Sequence, residues 1–120
     1  MVADDNKINC KLIKIILENL GLEVTVVNDG NEAVEMSTRN AYDIIFMDIQ
    51  MPVMDGLEAC MHILGHEAEH HLKHVPIIAL TANTSSVDKE KYMAQGMDDY
   101  AVKPLDIEAL KMIITEHCNY

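Results

Sequence analysis

The sequence predicts an α/β fold, a parallel sheet covered by helices on both faces. Short β-branched and apolar runs alternate with helical periodicities along the whole chain, and that alternation implies right-handed crossovers. Two of the runs, Tyr42 to Met47 and Pro76 to Leu80, are continuously apolar, as strands buried on both faces are. The length of 120 residues, with 49% hydrophobic and 24% charged, suits one soluble domain with a single core.

The elements follow in order. Met1, Val2 and Ala3 form a first strand shorter than the usual run of about five residues, so this strand is expected to be truncated. Lys7 to Leu20 carries Ile8, Leu12, Ile15, Ile16 and Leu20 at helical spacing, and Gly21 stops it. Glu23 to Val27 is a strand ended by Asn28-Asp29-Gly30. Asn31 to Thr38 is a short helix, Tyr42 to Met47 the third strand, and Leu57 to about Leu64 a helix. Pro76 to Leu80 is the fourth strand, Ser85 to Ala94 a helix followed by Gly96, and Tyr100 to Val102 the fifth strand. Asp106 caps a last helix reaching about His117.

Composition excludes several functions. The net charge is −11 and Arg39 is the only arginine, so the chain repels phosphate backbones and anionic membranes and has no arginine clamp for a nucleotide. No apolar stretch reaches the roughly 18 residues of a membrane span, and MVADDNKIN is no signal peptide. A cytoplasmic location is expected. Cys10, Cys60 and Cys118 match no disulfide or zinc spacing and read as small buried hydrophobes or idle thiols.

The stretch FMDIQMPVMDG delivers Asp48 at the end of an apolar run. A carboxylate there is costly unless something uses it. Asp4 and Asp5 follow the first strand, Thr81 ends the fourth and Lys103 the fifth. The carboxyl ends of parallel strands open on one crevice, where ligands bind. Three carboxylates in that crevice would repel each other unless a divalent cation joined them, and oxygen ligands suit magnesium. Metal, lysine and hydroxyl around one carboxylate are what phosphoryl transfer needs, with Asp48 as the nucleophile.

In this order, VADDN, FMDIQMPVMDG, PIIALTAN and GMDDYAVKPL resemble the receiver domain of two-component response regulators. The resemblance covers residues 1–120 as one receiver domain. It implies a flavodoxin-like, doubly wound sheet in the order 2-1-3-4-5, within three α/β/α layers. It implies that Asp48 is the phosphoacceptor, that Asp4, Asp5, Asp48 and the backbone carbonyl of Gln50 hold magnesium, and that Lys103 contacts the phosphoryl group. Thr81 becomes the switch hydroxyl and Tyr100 the aromatic switch. Gln50 and Asn83 border the route of the hydrolytic water and tune phosphoryl lifetime, and the bond before Pro104 is cis.

The wording of these motifs is similar to receivers of hybrid sensor histidine kinases. The implied partners are therefore a histidine kinase or a histidine phosphotransfer domain, with no nucleic acid, no membrane contact, and a monomeric or weakly dimeric state. As an isolated domain the chain would catalyse only its own phosphorylation and dephosphorylation. The first helix has more apolar residues than one buried stripe requires, so part of it should form an exposed docking patch, with Ile13 and Leu17 as the positions to test.

The histidines 62, 66, 70 and 74 fall four apart, with His71 beside them. On one helix such neighbours share a metal. Gly65 interrupts the run, and a solvated loop is the expectation there. Three rivals stand beside the receiver reading. One is a receiver-like module that binds without phosphorylation, against which the full acidic, hydroxyl and lysine set argues. A dehalogenase-type phosphatase would need a second aspartate at position 50, where Gln50 stands. A flavodoxin would need a phosphate-cradling loop after the first strand.

Overall fold

A computed structural model of the chain describes residues 1–82, 86–103 and 106–118. Five strands and five helices alternate: β1 (Val2–Ala3), α1 (Lys7–Asn19), β2 (Val26–Val27), α2 (Gly30–Arg39), β3 (Ile45–Asp48), α3 (Gly56–Glu69), β4 (Ile77–Thr81), α4 (Ser86–Ala94), β5 (Asp99–Val102) and α5 (Ile107–Cys118). The sheet is parallel throughout, in the order β2-β1-β3-β4-β5. This is the doubly wound, flavodoxin-like arrangement expected.

Strand alternation divides the core in two. Ala3, Ile45, Met47, Ile77 and Ala79 point to one face, where Ala33, Ala59, Ile63 and Tyr92 from α2, α3 and α4 cover them. Val2, Phe46, Ile78, Leu80 and Ala101 point to the other, under Ile13, Ile16 and Leu17 of α1 and Leu110, Ile113 and Ile114 of α5. Both faces of β3 and β4 are fully buried, which is why those runs carry no polar alternation.

The sequence misplaced some boundaries. β2 covers only the end of the expected Glu23–Val27 strand, and β3 starts three residues later than expected, at Ile45. The largest difference is α3, which continues through Gly65 to Glu69. An exposed glycine costs a helix about 1 kcal/mol, and this one meets no neighbour. Buried Glu67 holds the extra turn in place. Its Oε2 accepts the Val75 N–H at 2.8 Å and its Oε1 lies 2.8 Å from His74 Nδ1. The helix then stops with His71 at φ +53°, the left-handed position glycine usually takes, while Leu72 N–H bonds back to Glu67 O.

The histidine segment is therefore helical through His66 to Glu69, while His70, His71 and His74 lie in the exposed connection that follows. His66 and His70 stack at 4.2 Å between ring centroids. His74 bridges Glu67 and Asp98, its Nε2 lying 2.8 and 2.9 Å from the two Asp98 oxygens. A carboxylate on each ring nitrogen favours the imidazolium, in which both nitrogens donate. Burial pulls its pKa down, but the bonds to Glu67 and Asp98 outweigh that and hold it above the ordinary 6.5. Among the described residues, no group of three potential metal ligands includes these histidines.

Candidate functional site

The carboxyl ends of the strands bring the expected residues together. Asp4 follows β1, Asp48 ends β3, Thr81 ends β4, and Lys103 follows β5. Parallel pairing sets their heights: Asp48 lies opposite Leu80, and Lys103 N–H donates to Thr81 O at 2.8 Å. Asp4, Asp48 and Thr81 are buried and Asp5 is exposed. Beside them opens a cavity of about 350 Å³, lined in part by Asp5, Asn6, Asp48, Gln50, Thr81 and Lys103.

The turn after Asp48 explains the MDG motif. Gly56 N–H bonds to Ile49 O at 2.9 Å, folding the loop back on the strand. A Cβ at position 56 would overlap the Asp48 carbonyl oxygen, so glycine is required by close approach. Asp55 caps α3 by accepting the Glu58 N–H at 2.9 Å.

One ammonium serves two buried carboxylates. Lys103 Nζ lies 3.0 Å from Asp4 Oδ2 and 3.1 Å from Asp48 Oδ2. Burial lowers the Lys103 pKa, but the two aspartates outweigh it and the net shift is upward, so the lysine stays charged. Asp48 moves the other way. Burial, then the Asp4 charge, push its carboxyl from 3.8 up to about 6 against the pull of Lys103. Its Oδ1 accepts the Gln50 N–H at 3.2 Å. Asp4 Oδ1 accepts the Asn6 N–H at 2.9 Å. Asp4 Oδ2 is buried and accepts no hydrogen bond of good geometry among the described residues, and the Lys103 ammonium lies 3.0 Å from it.

These residues fit a divalent cation. Ligand oxygens of Asp4, Asp5 and Asp48 all lie within 4.8 Å of one another. All three are carboxylates, the donor set of a hard cation, and Asp4 Oδ2 is a buried acceptor short of a partner.

The remaining expectations divide. Tyr100 is half-buried on β5, with Lys89 Nζ 4.5 Å above its ring. Asn83 and Pro104 lie outside the described residues. Sequence reasoning missed Tyr92, a buried phenol on α4 whose Oη sits 3.5 Å from Thr81 Oγ1. It also missed Cys10 and Asn28, which touch Asp4 from behind. Burial, then the Asp4 charge, push the Cys10 thiol up to about 11, so it stays protonated. An aromatic inside the polar run SVDKEKYMA was the available signal for Tyr92; Cys10 and Asn28 carried none.

A doubly wound sheet with an acidic cluster and a lysine at its strand ends is the architecture of a signalling receiver. The chain belongs to the response regulator receiver domain family, whose pattern it matches over residues 1–115. It is 43% identical over 126 residues to hybrid signal transduction histidine kinase I of Dictyostelium discoideum, covering 100% of this chain and 7% of that protein. The chain spans 7 to 15% of the length of the curated relatives it matches, which are mostly hybrid or sensor histidine kinases. Among solved structures it resembles the receiver domain of sensor histidine kinase PA1611 of Pseudomonas aeruginosa, which holds magnesium in its active-site cleft. That likeness has a TM-score of 0.88 and 39% identity, over 99% of this chain and 95% of that one. It also resembles the receiver domain of Ssk1 in complex with the histidine phosphotransfer protein Ypd1 of Saccharomyces cerevisiae. There the TM-score is 0.94 with 33% identity, over 98% of this chain and 86% of that one.

Proposed function

We propose that Asp48 takes a phosphoryl group from a phosphohistidine on a partner protein and that the acquired charge switches a partner-binding surface. The observation that carries this reading is the shared ammonium: Lys103 Nζ bridges two buried carboxylates, 3.0 Å from Asp4 and 3.1 Å from Asp48, at the edge of an open cavity. A carboxylate oxygen of Asp48 attacks phosphorus, the P–N bond breaks, and its electron pair stays on the departing imidazole, which takes a proton from water. Lys103 leaves its ion pair with Asp48 and binds a phosphoryl oxygen. Thr81 supplies a hydroxyl donor to another.

Asp4, Asp5, Asp48 and the backbone carbonyl of Gln50 would hold magnesium. Bound there, the cation neutralises phosphoryl charge and removes the repulsion among the aspartates. Gln50 and Asn83 are uncharged amides, offer no base to a hydrolytic water, and favour a moderately long phosphoryl lifetime. The switch runs through Thr81 with Tyr100, shifting a pre-existing equilibrium.

The donor reading rests on likeness to hybrid kinases and to a receiver that binds a phosphotransfer protein. The exposed face of α1 supports it and corrects one expectation. Ile13 and Leu17 are each only 3% exposed and belong to the core, whereas Ile8, Leu12 and Ile15 are 79%, 47% and 48% exposed. Spaced four and three apart, these three form one apolar stripe, the natural docking face for a helical partner. In this reading residues 1–120 are a receiver of a hybrid kinase that works in the cytoplasm as a monomer or weak dimer. It touches no nucleic acid or membrane and catalyses only its own phosphoryl chemistry. Among the described residues no helix is long and apolar enough to cross a membrane.

Incubation with a small acyl phosphate, with and without magnesium, tests the reading by intact mass. An adduct that needs both magnesium and Asp48 is expected, and Asp48→Asn should carry none. Well-folded protein that takes no adduct would favour the binding-only module.

A further inference from the structure

The acidic pair Asp4-Asp5 hangs on a strand of only two residues. Such a strand offers few ladder bonds to resist the repulsion of three clustered carboxylates. Side chains add to the restraint that pairing with β2 and β3 provides. Asp4 N–H bonds to Val27 O at 3.1 Å, the last rung with β2. The Asp4 carbonyl then receives two side-chain donors from different elements. Asn28 Nδ2, just beyond β2, lies 3.2 Å away, and Cys10 Sγ, buried on α1, also lies 3.2 Å away. Nδ2 and Sγ are 4.0 Å apart, so the three groups close a triangle. Only the amide NH₂ suits a carbonyl, which fixes the Asn28 orientation.

The two donors act on the same main-chain atom, in the peptide that joins the two acidic residues. Asp4 Oδ2 is the buried oxygen short of a hydrogen bond, and Asp5 follows across the peptide whose carbonyl is being held. Released, this peptide would rotate to separate the carboxylates. Held, it keeps their oxygens within the 4.8 Å cluster.

We infer that Asn28 and Cys10 are positioning residues for the acidic pair: by clamping the Asp4 carbonyl they set the affinity of the cluster for a divalent cation. The inference rests on the proposed reading of the site. Neither residue touches the cation. Each acts by presenting Asp4 and Asp5 at the right separation from Asp48, and outer partners of metal ligands commonly change affinity by 10-fold or more.

The test is titration of the full chain with magnesium chloride, by calorimetry and by the magnesium dependence of acyl-phosphate labelling. Asn28→Ala should raise the half-saturating magnesium concentration by about tenfold, and excess magnesium should restore labelling. Cys10→Ala should act the same way, while Cys10→Ser, which keeps a donor, should stay near wild type. Folded Asn28→Ala and Cys10→Ala proteins that both titrate within about twofold of wild type would overturn the inference. So would lost labelling that magnesium does not restore. Wild-type protein that binds no magnesium would instead sink the reading of the site itself.

Discussion

Replacing Asp48 by asparagine should stabilise the protein, and by an amount that depends on pH. The carboxyl is pushed from 3.8 up to about 6, first by burial and then by the Asp4 charge, net of the attraction from Lys103. Between those values the folded chain holds a proton that the unfolded chain has released, so stability falls as pH rises through that window. At about 1.4 kcal/mol per pH unit, the penalty is about 3 kcal/mol at pH 7.5 and about 1 kcal/mol at pH 4.5. The amide keeps an oxygen to accept the Gln50 N–H and carries no charge. In urea titrations followed by circular dichroism with a chelator present, Asp48→Asn should gain about 3 kcal/mol at pH 7.5, roughly 10 °C in Tm. The gain should shrink to about 1 kcal/mol at pH 4.5. Magnesium should narrow the gap at neutral pH because it binds the folded wild type. A variant no more stable than wild type at pH 7.5, or a gain that acidification leaves unchanged, would refute the argument that this carboxylate is held against its own desolvation.

Three further outcomes follow from other residues. Ile15→Asp should slow phosphoryl transfer from a phosphotransfer domain at least about tenfold while leaving labelling by a small phosphodonor intact, because Ile15 is exposed on α1; equal loss in both assays would mean a folding defect. His74 is held as imidazolium between Glu67 and Asp98, so its contribution to stability is full below about pH 6.5 and fades as pH rises through its raised pKa. The stability gap between wild type and His74→Gln should therefore close in alkali, and a gap equal at about pH 6 and 8.5 would contradict the clamp. Val53 is 83% exposed yet sits at φ +68° in a γ-turn closed by Met54 N–H to Pro52 O at 2.7 Å. Strain of about 1–2 kcal/mol at a β-branched residue, less the extra backbone entropy of glycine, predicts a gain of about 0.5–1 kcal/mol for Val53→Gly in urea melts.

What the sequence disclosed tracks where apolar side chains hold the structure alone. β3 and β4 are buried on both faces, and their unbroken runs were plain. Gly21 and Gly96 sit at positive φ after α1 and α4, and both stops were legible. Reading failed where a polar residue takes a core role. Gly65 made the end of α3 look like loop, and the buried carboxyl of Glu67 on its inner side, which holds the extra turn, gave no sign of a core role. His71 ends the helix in a conformation that a histidine does not announce. The site follows the same rule. Asp4, Asp48, Thr81 and Lys103 were visible because chain direction puts strand ends together. The bonds from Cys10 and Asn28 to a backbone carbonyl depend on how α1 and β2 pack, which no local pattern encodes.

The arrangement also bears on whether the chain is only a binding module. Docking through an exposed stripe such as Ile8, Leu12 and Ile15 requires nothing of the strand ends. Yet this fold buries Asp4 completely and Asp48 to 5% exposure, with one lysine shared between them. Buried carboxylates that repel each other lower stability, and a single shared ammonium does not cancel two charges. Asp48 alone costs about 3 kcal/mol at neutral pH, a large part of the roughly 5–15 kcal/mol that holds a domain together. A binding-only surface gains nothing from that cost. A nucleophile does: the same desolvation and repulsion that raise the Asp48 pKa are relieved when a cation joins the cluster. In the proposed reaction, Lys103 then exchanges its contact with the Asp48 carboxylate for one with a phosphoryl oxygen. On the proposed reading, the instability of the resting site contributes to the driving force for the switch, and Asp48→Asn should be more stable and unable to take the phosphoryl group.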